Sequence, residues 1–241
     1  MPLPFFYTEA IAPSGNDVVL SEENSKHIVQ VLRMEAGEQL NLTDGKGNIY
    51  LAEITEAHKK KCAVKILSHQ KQERAEKQAC IAVSPVKNNS RFEWFLEKAT
   101  EIGVSEIVPL ICSRTEKQHF RYDRMNGILI SAMLQSQQAW LPVLHEAKKF
   151  KEYIASIKPS PAQKYIAHCD DDEKTSLKQR LAQPATFNHQ PSIILIGPEG
   201  DFTREEIALA LENNFTAVTL GDTRLRTETA ALVAATLLYV S

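Results

Sequence analysis

The rhythm of apolar and polar residues changes near residue 78. Before it, alternation with period two dominates. Segments 39–43 and 49–54 alternate in this way, and Asp44-Gly45-Lys46-Gly47 joins them, which predicts a hairpin. A further strand is expected over 62–67, and the hydrophilic stretch 68–77 reads as a linker. One helix is expected here, over 22–32, with Ser21 as N-cap and Ile28, Val31 and Leu32 at helical spacing. From Ala79 onward strands and helices alternate. Strands are expected over 81–83, 106–112, 164–168, 193–196 and 217–220. Helices are expected over 91–102, 122–139 and 175–182, from about Thr203, and from Thr229 to the C-terminus. Gly103 is placed as the left-handed residue that closes the first of these. Such alternation predicts an α/β domain whose parallel sheet is covered by helices on both faces.

Two glycine-bearing loops near the C-terminus carry the chemistry. Gly197-Pro198-Glu199-Gly200-Asp201-Phe202 follows the strand at 193–196, and Thr203-Arg204-Glu205-Glu206 after it has the form of a capping box. Gly221-Asp222-Thr223-Arg224-Leu225-Arg226 follows the strand at 217–220 and precedes Thr227-Glu228-Thr229. Loops at the carboxyl ends of parallel strands are where open α/β sheets take their ligands. Two of them this close in sequence point to one shared pocket. Arg224 and Arg226, beside a helix start, either bind a phosphate or carboxylate or pair with Glu228 or Asp222 to stiffen the loop. The last helix is apolar around most of its circumference, so it is deeply buried or forms an oligomer interface.

Composition narrows the classes. The 241 residues are 43% hydrophobic and 24% charged, as in ordinary globular proteins. No apolar run is long enough to span a bilayer, and the first seven residues lack the pattern of a signal peptide, so a cytoplasmic protein is expected. The net charge is −2, and residues 1–70 hold seven Lys/Arg against nine Asp/Glu, so no basic surface is visible in the sequence. Cys62, Cys80, Cys112 and Cys169 are widely separated and read as buried free thiols. The histidines show no metal-ligand spacing, and no metal is expected. The dinucleotide, P-loop and G-x-S-x-G fingerprints are missing.

The pair formed by Ile196-Gly197-Pro198-Glu199-Gly200-Asp201-Phe202-Thr203 and Leu220-Gly221-x-x-x-Leu225-Arg226-Thr227-Glu228-Thr229-Ala230 resembles the signature of the bacterial 16S ribosomal RNA uridine-N3 methyltransferase family. That family belongs to the SPOUT class of S-adenosylmethionine-dependent enzymes. The resemblance extends to His27-Ile28-Val29-Gln30-Val31-Leu32-Arg33, to Lys98-Ala99-Thr100-Glu101-Ile102-Gly103-Val104, and to Ile107-Val108-Pro109-Leu110. It implies an α/β fold: a small N-terminal PUA-like β-barrel that binds RNA, over 1–70, and a trefoil-knotted SPOUT domain over 78–241, with the knot at about 190–241. This chain has Asp201 where the family often has glycine. Leu134 and Gln138 stand where an acid and an arginine are found in the family, so the roles of those charges are not carried over.

The resemblance further implies that S-adenosyl-L-methionine is held by His168, Leu195, Gly197, Glu199, Gly200, Leu220, Gly221 and Leu225, with leucines around the adenine. Arg226 would stabilise a developing uridine anion or a phosphate, while Glu199 or Glu228 would orient the loop or accept the proton. Arg33, Lys59, Lys60 and Lys61 either touch the RNA backbone or are solvated surface. The expected partners are 16S ribosomal RNA in the small ribosomal subunit and a second copy of the chain, joined through the last helix. Two other readings stay open: a ribosome assembly factor that keeps the fold without the chemistry, and an α/β enzyme acting on a nucleotide or sugar phosphate.

Overall fold

The computed structural model describes residues 3–9, 11, 17–116, 120–170, 173–182 and 190–240. The chain divides into two units, one formed by Met1–Arg74 with Met133–Leu141, the other by Ala75–Ala132 with Pro142–Ser241.

The first unit contains β1 (Phe5–Tyr7), β2 (Asp17–Val19), α1 (Glu22–Lys26), β3 (Gln39–Thr43), β4 (Asn48–Glu56) and β5 (Ala63–Lys71). Its mixed sheet runs β1-β3-β4-β5-β2, with β1 parallel to β3 and the other pairs antiparallel. One face encloses Ile28, Leu40, Leu42, Ile54 and Val64, all essentially inaccessible to solvent. Ser21 caps α1 as the sequence indicates, accepting the Asn24 N–H at 3.2 Å. The single helix expected over 22–32 forms continuously over 22–31, with its second half, His27–Val31, widened into a π-helical turn. The hairpin forms as expected. Its second partner, β5, runs on through Ser68 to Lys71, where a linker was expected. Polar side chains suffice there, since the backbone pairs with Asn48–Leu51 and His69 stacks on Tyr50 with ring centroids 4.7 Å apart. The segment after Met133 returns to this unit. Gly47 donates to the Ala139 carbonyl, Leu141 donates to that of Gly45, and the Trp140 indole donates to that of Gln72.

The second unit contains β6 (Ala79–Val83), α2 (Asn89–Ile102), β7 (Glu106–Ile111), α3 (Tyr122–Gln135), β8 (Val143–Leu144), β9 (Lys148–Lys149), α4 (Phe150–Ile157), β10 (Gln163–Ala167), β11 (Thr175–Ser176), α5 (Leu177–Ala182), β12 (Ser192–Ile196), α6 (Arg204–Glu212), β13 (Thr216–Thr219) and α7 (Thr227–Val240). Every strand pair is parallel, in the order β11-β13-β10-β12-β6-β7-β8, with β9 on β7. Central strands buried on both faces read as unbroken apolar runs; all five residues of β6 are buried. On one face α4 and α6 deliver Phe150, Tyr153, Ile154, Ile207 and Ala210 into the core. On the other, α7 packs against α2, β6 and β12.

Helix ends follow local chemistry. Gly103 closes α2 at φ +96°, a conformation without penalty only for glycine. Thr203 and Glu206 form the expected capping box, and the other Glu206 oxygen accepts both the N–H and the hydroxyl of Ser113. α3 stops at Gln135, short of the expected 139. Gln137 turns left-handed (φ +55°), and the Gln137 and Gln138 N–H groups bond back to Leu134 and Met133. At 175–182 the first two residues pair with β13 as β11, and the helix starts only at Leu177.

Candidate active site

β10, β12 and β13 end at the same edge of the sheet. Ala167 lies opposite Ile196 on one side and Val218 on the other. The three loops that leave this edge enclose two adjoining cavities of about 370 and 410 Å³. Both touch Ala167, Cys169, Arg224, Leu225 and Ala230. The first is completed by His168, Lys174 and residues 218–223; the second by Arg91, Ile196, Gly197, Pro198, Glu199, Asp201, Arg226 and Thr227.

The loops are tied together by specific bonds. Thr227, the first residue of α7, donates its buried hydroxyl to the Gly197 carbonyl at 3.0 Å. A Cβ on Gly197 would come within 3.1 Å of the Phe202 ring and 3.2 Å of the Phe202 N, so a side chain here would require Phe202 to shift by a few tenths of an ångström. Gly221, at φ +149°, sits in a range that favours glycine, and its N–H bonds to the Thr219 hydroxyl. Arg114 donates to the Gly200 carbonyl at 2.6 Å and packs its stem on that glycine.

Most residues expected at the cofactor pocket gather here. His168, Leu220, Gly221 and Leu225 line the first cavity, and Gly197, Glu199 and again Leu225 the second. Two do not. Leu195 is fully buried in the core with Phe150, Phe202 and Ile207. It lies one residue before the strand end, so the sheet layers enclose it, and Ile196 meets the cavity in its place. Gly200 lines neither cavity; it serves as the contact for Arg114.

Among the described residues Arg224 and Arg226 make no ion pair, and both are exposed at the second cavity. The loop-stiffening pairs with Glu228 or Asp222 are not made among the described residues, and Glu228 is engaged elsewhere. Its carboxylate, only 7% exposed, lies 3.7 Å from Arg91 Nε, and Arg91 Nη1 reaches Glu199 at 3.4 Å. Glu228 lines neither cavity, and its Oε2 is buried without a hydrogen-bond partner. Glu228 sits in the first turn of α7, where the helix dipole favours its negative charge. Arg91 was absent from the sequence expectations, because its partners are more than a hundred residues away along the chain.

Cys169 is the second surprise. Cys62, Cys80 and Cys112 are buried as expected, and burial pushes the Cys80 thiol up to about 12 and that of Cys112 upward as well. Cys169 is exposed and lines both cavities. Arg33, Lys59, Lys60 and Lys61 are exposed on the first unit, with Arg33 in the left-handed region at φ +57°. Among the described residues no group of acidic, cysteine and histidine side chains could hold a metal, and no helix is long and apolar enough to cross a membrane.

A pocket at the carboxyl ends of parallel strands, with Arg91, Arg224 and Arg226 on one side, places the chain among α/β proteins whose ligand site at that sheet edge suits an anion. Comparison with known proteins gives the particular family. Residues 72–239 match the family described as RNA methyltransferase domain, and residues 20–67 match that described as RNA methyltransferase PUA domain. The chain belongs to the RNA methyltransferase family. It is 36% identical to a structure from Porphyromonas gingivalis described as a "probable rRNA-methyltransferase", covering 99% of this chain and 98% of that one with a TM-score of 0.89. It is 28% identical to a ribosomal RNA small subunit methyltransferase E from Neisseria gonorrhoeae bound to S-adenosyl methionine, covering 99% and 98% with a TM-score of 0.85. Ribosomal RNA small subunit methyltransferase E from Rickettsia conorii is 26% identical over 95% of this chain and 91% of that protein. The expected family class and its α/β architecture with a PUA-like N-terminal part are therefore borne out.

Proposed function

We propose that this chain transfers the methyl group of S-adenosylmethionine to N3 of a uridine in the 16S RNA of the small ribosomal subunit. The observation that carries the reading is the pair of adjoining cavities at the ends of β10, β12 and β13, one lined by residues 218–225 and the other rimmed by Arg91, Arg224 and Arg226. The residues present suit the cofactor. Leu220, Leu225 and Ala230 offer apolar contact for an adenine, and the peptide groups from Val218 to Thr223 are in place to read its edge. A Cβ on Gly221 would meet no protein atom within 4 Å, so the glycine leaves space beside the cavity it lines.

When bound, S-adenosylmethionine supplies an electrophilic methyl group on a sulfonium. The chain's own contribution is placement and charge. The loops at Gly197 and Gly221 hold the reactants in line, a contribution worth several orders of magnitude in rate when geometry is right. Arg226, exposed and unpaired among the described residues, stabilises the negative charge that develops on the base as N3 loses its proton. Glu199 lines the same cavity and is a carboxylate with access to that proton, whereas the oxygens of Asp201, the other carboxylate there, accept the N–H groups of Cys169 and Phe202. Glu228 lines neither cavity and acts through Arg91.

The division at Arg74 and the matched segments 20–67 and 72–239 support an RNA-binding domain over 1–70 and a methyltransferase domain over 78–241, from which Met133–Leu141 departs to join the first unit. The threading of the last fifty residues as a trefoil knot is supported by the path of the chain. β13 lies beyond β10 at one side, and α7 then returns to β6, β12 and α2. The half-exposed Leu232, Val233 and Leu237 of α7 support a homodimer through that helix.

The test uses small subunits from a strain lacking the endogenous methyltransferase, incubated with the protein and methyl-labelled cofactor. One N3-methyluridine per 16S RNA, located by nuclease mapping and mass spectrometry, is the expected product. No label, or label on another atom, rejects the reading. For the first unit, replacing Lys59, Lys60 and Lys61 together by alanine is expected to flatten the dependence of log RNA affinity on log salt by about 1–3 units. An unchanged slope removes that run from the RNA contact.

A further inference from the structure

Asp201 connects two loops that differ in origin. It lies in the turn after β12, where its N–H bonds to the Pro198 carbonyl at 2.9 Å. One carboxylate oxygen accepts the N–H of Phe202 at 2.8 Å. The other accepts the N–H of Cys169 at 2.7 Å, in the loop after β10. Cys169 and Asp201 both line the second cavity, and Cys169 also lines the first. A second tie runs in parallel but on the surface: Arg204 reaches Asp170 at 3.4 Å with an 87% exposed side chain. An exposed pair of this kind holds little. The Asp201 bonds are charge-assisted and short, so the join rests mainly on them.

The backbone at Asp201 speaks for a role of the side chain. Its φ is +63°, a conformation glycine takes freely and other residues take at a cost. Glycine holds such a turn freely, and aspartate is among the few other residues that tolerate it. Here a carboxylate is kept in the strained position, and its far oxygen spans to another loop.

We propose that Asp201 is a positioning residue that staples the loop after β10 to the loop after β12 and so sets the affinity for the cofactor. The inference rests on the reading of this pocket as the S-adenosylmethionine site. Loops already joined lose less freedom when a ligand binds, so the staple raises affinity without touching the ligand. It takes no part in methyl transfer itself, so the effect falls on cofactor KM and not on kcat.

The test compares wild type with Asp201→Gly and Asp201→Asn. Glycine relieves the strain and removes both acceptors. Asparagine keeps the size and the tolerance for φ > 0 but has a single acceptor oxygen for two N–H groups. Titration with S-adenosylhomocysteine is expected to give a Kd raised about tenfold in Asp201→Gly, the loss of one charge-assisted hydrogen bond, with a smaller rise in Asp201→Asn. The Tm of Asp201→Gly is expected to be unchanged or higher, so weaker binding cannot be ascribed to loss of fold. Hydrogen exchange of the Cys169 amide in ligand-free protein is expected to accelerate in both variants. Wild-type affinity in Asp201→Gly, or unchanged Cys169 exchange, overturns the proposal. Faster exchange together with a wild type that does not bind S-adenosylhomocysteine overturns the cofactor reading instead, and with it the role of the staple in affinity.

Discussion

Arg226→Ala is expected to lower methyl transfer at saturating cofactor and RNA by about 10²–10³-fold, the usual cost of removing one donor aimed at developing negative charge. Binding of S-adenosylhomocysteine is expected to stay within about threefold of wild type. The separation follows from where the side chain sits. Arg226 lines the second cavity but not the first, whose wall is formed by residues 218–225 with Ala167, His168, Cys169, Lys174 and Ala230. The measurement is single-turnover transfer of labelled methyl alongside calorimetric titration. Turnover near wild type would take Arg226 out of the chemistry and leave Arg224, which touches both cavities, as the cation to examine. A matched fall in turnover and in cofactor affinity would point to collapse of the loop.

What could be read from the sequence was local. The capping box at Thr203 and Glu206, the glycine stop at Gly103 and the hairpin around Gly45 each depend on residues within a few positions of one another, and all three form. The two signature loops were legible for the same reason. Features set by tertiary partners were not. The polar end of β5 is strand because Asn48–Leu51 lies beside it, and β1 and β2 are three-residue edge strands too short to show alternation. β8 and β9 are two residues each. Helix α4 carries Phe150, Tyr153, Ile154 and Ile157 at helical spacing, so that signal was present and went unused. Within the site, Leu195 lies in the core and Ile196 lines the cavity, because successive strand residues face opposite sides and a one-residue difference is invisible in an all-apolar run. Cys169 reads as a buried thiol from the apolar strand just before it, although the chain has left the sheet by that point and Asp170 follows directly.

Arg91 shows most clearly why the rest required coordinates. Its sequence neighbours say only that it begins an amphipathic helix. Folding places it between Glu199 of one signature loop and Glu228 of the other. The two contacts are unequal. Glu199 is nearly half exposed, so water and salt weaken its pull, whereas the Glu228 carboxylate is buried and keeps its attraction. Glu228 therefore fixes the guanidinium, and Arg91 presents it at the second cavity. Glu228→Ala is expected to reduce turnover on the order of 10²-fold, as a small displacement of a positioned group does. Arg91→Ala is expected to lose a similar factor. The double variant should lose little more than either single one, since each deletion disables the same pair. Transfer rates for the four proteins close the cycle, and thermal unfolding of each checks the fold. Multiplying losses would mean that the residues act independently. Turnover in Glu228→Ala equal to wild type would show that Glu199 alone is enough to hold Arg91 in place.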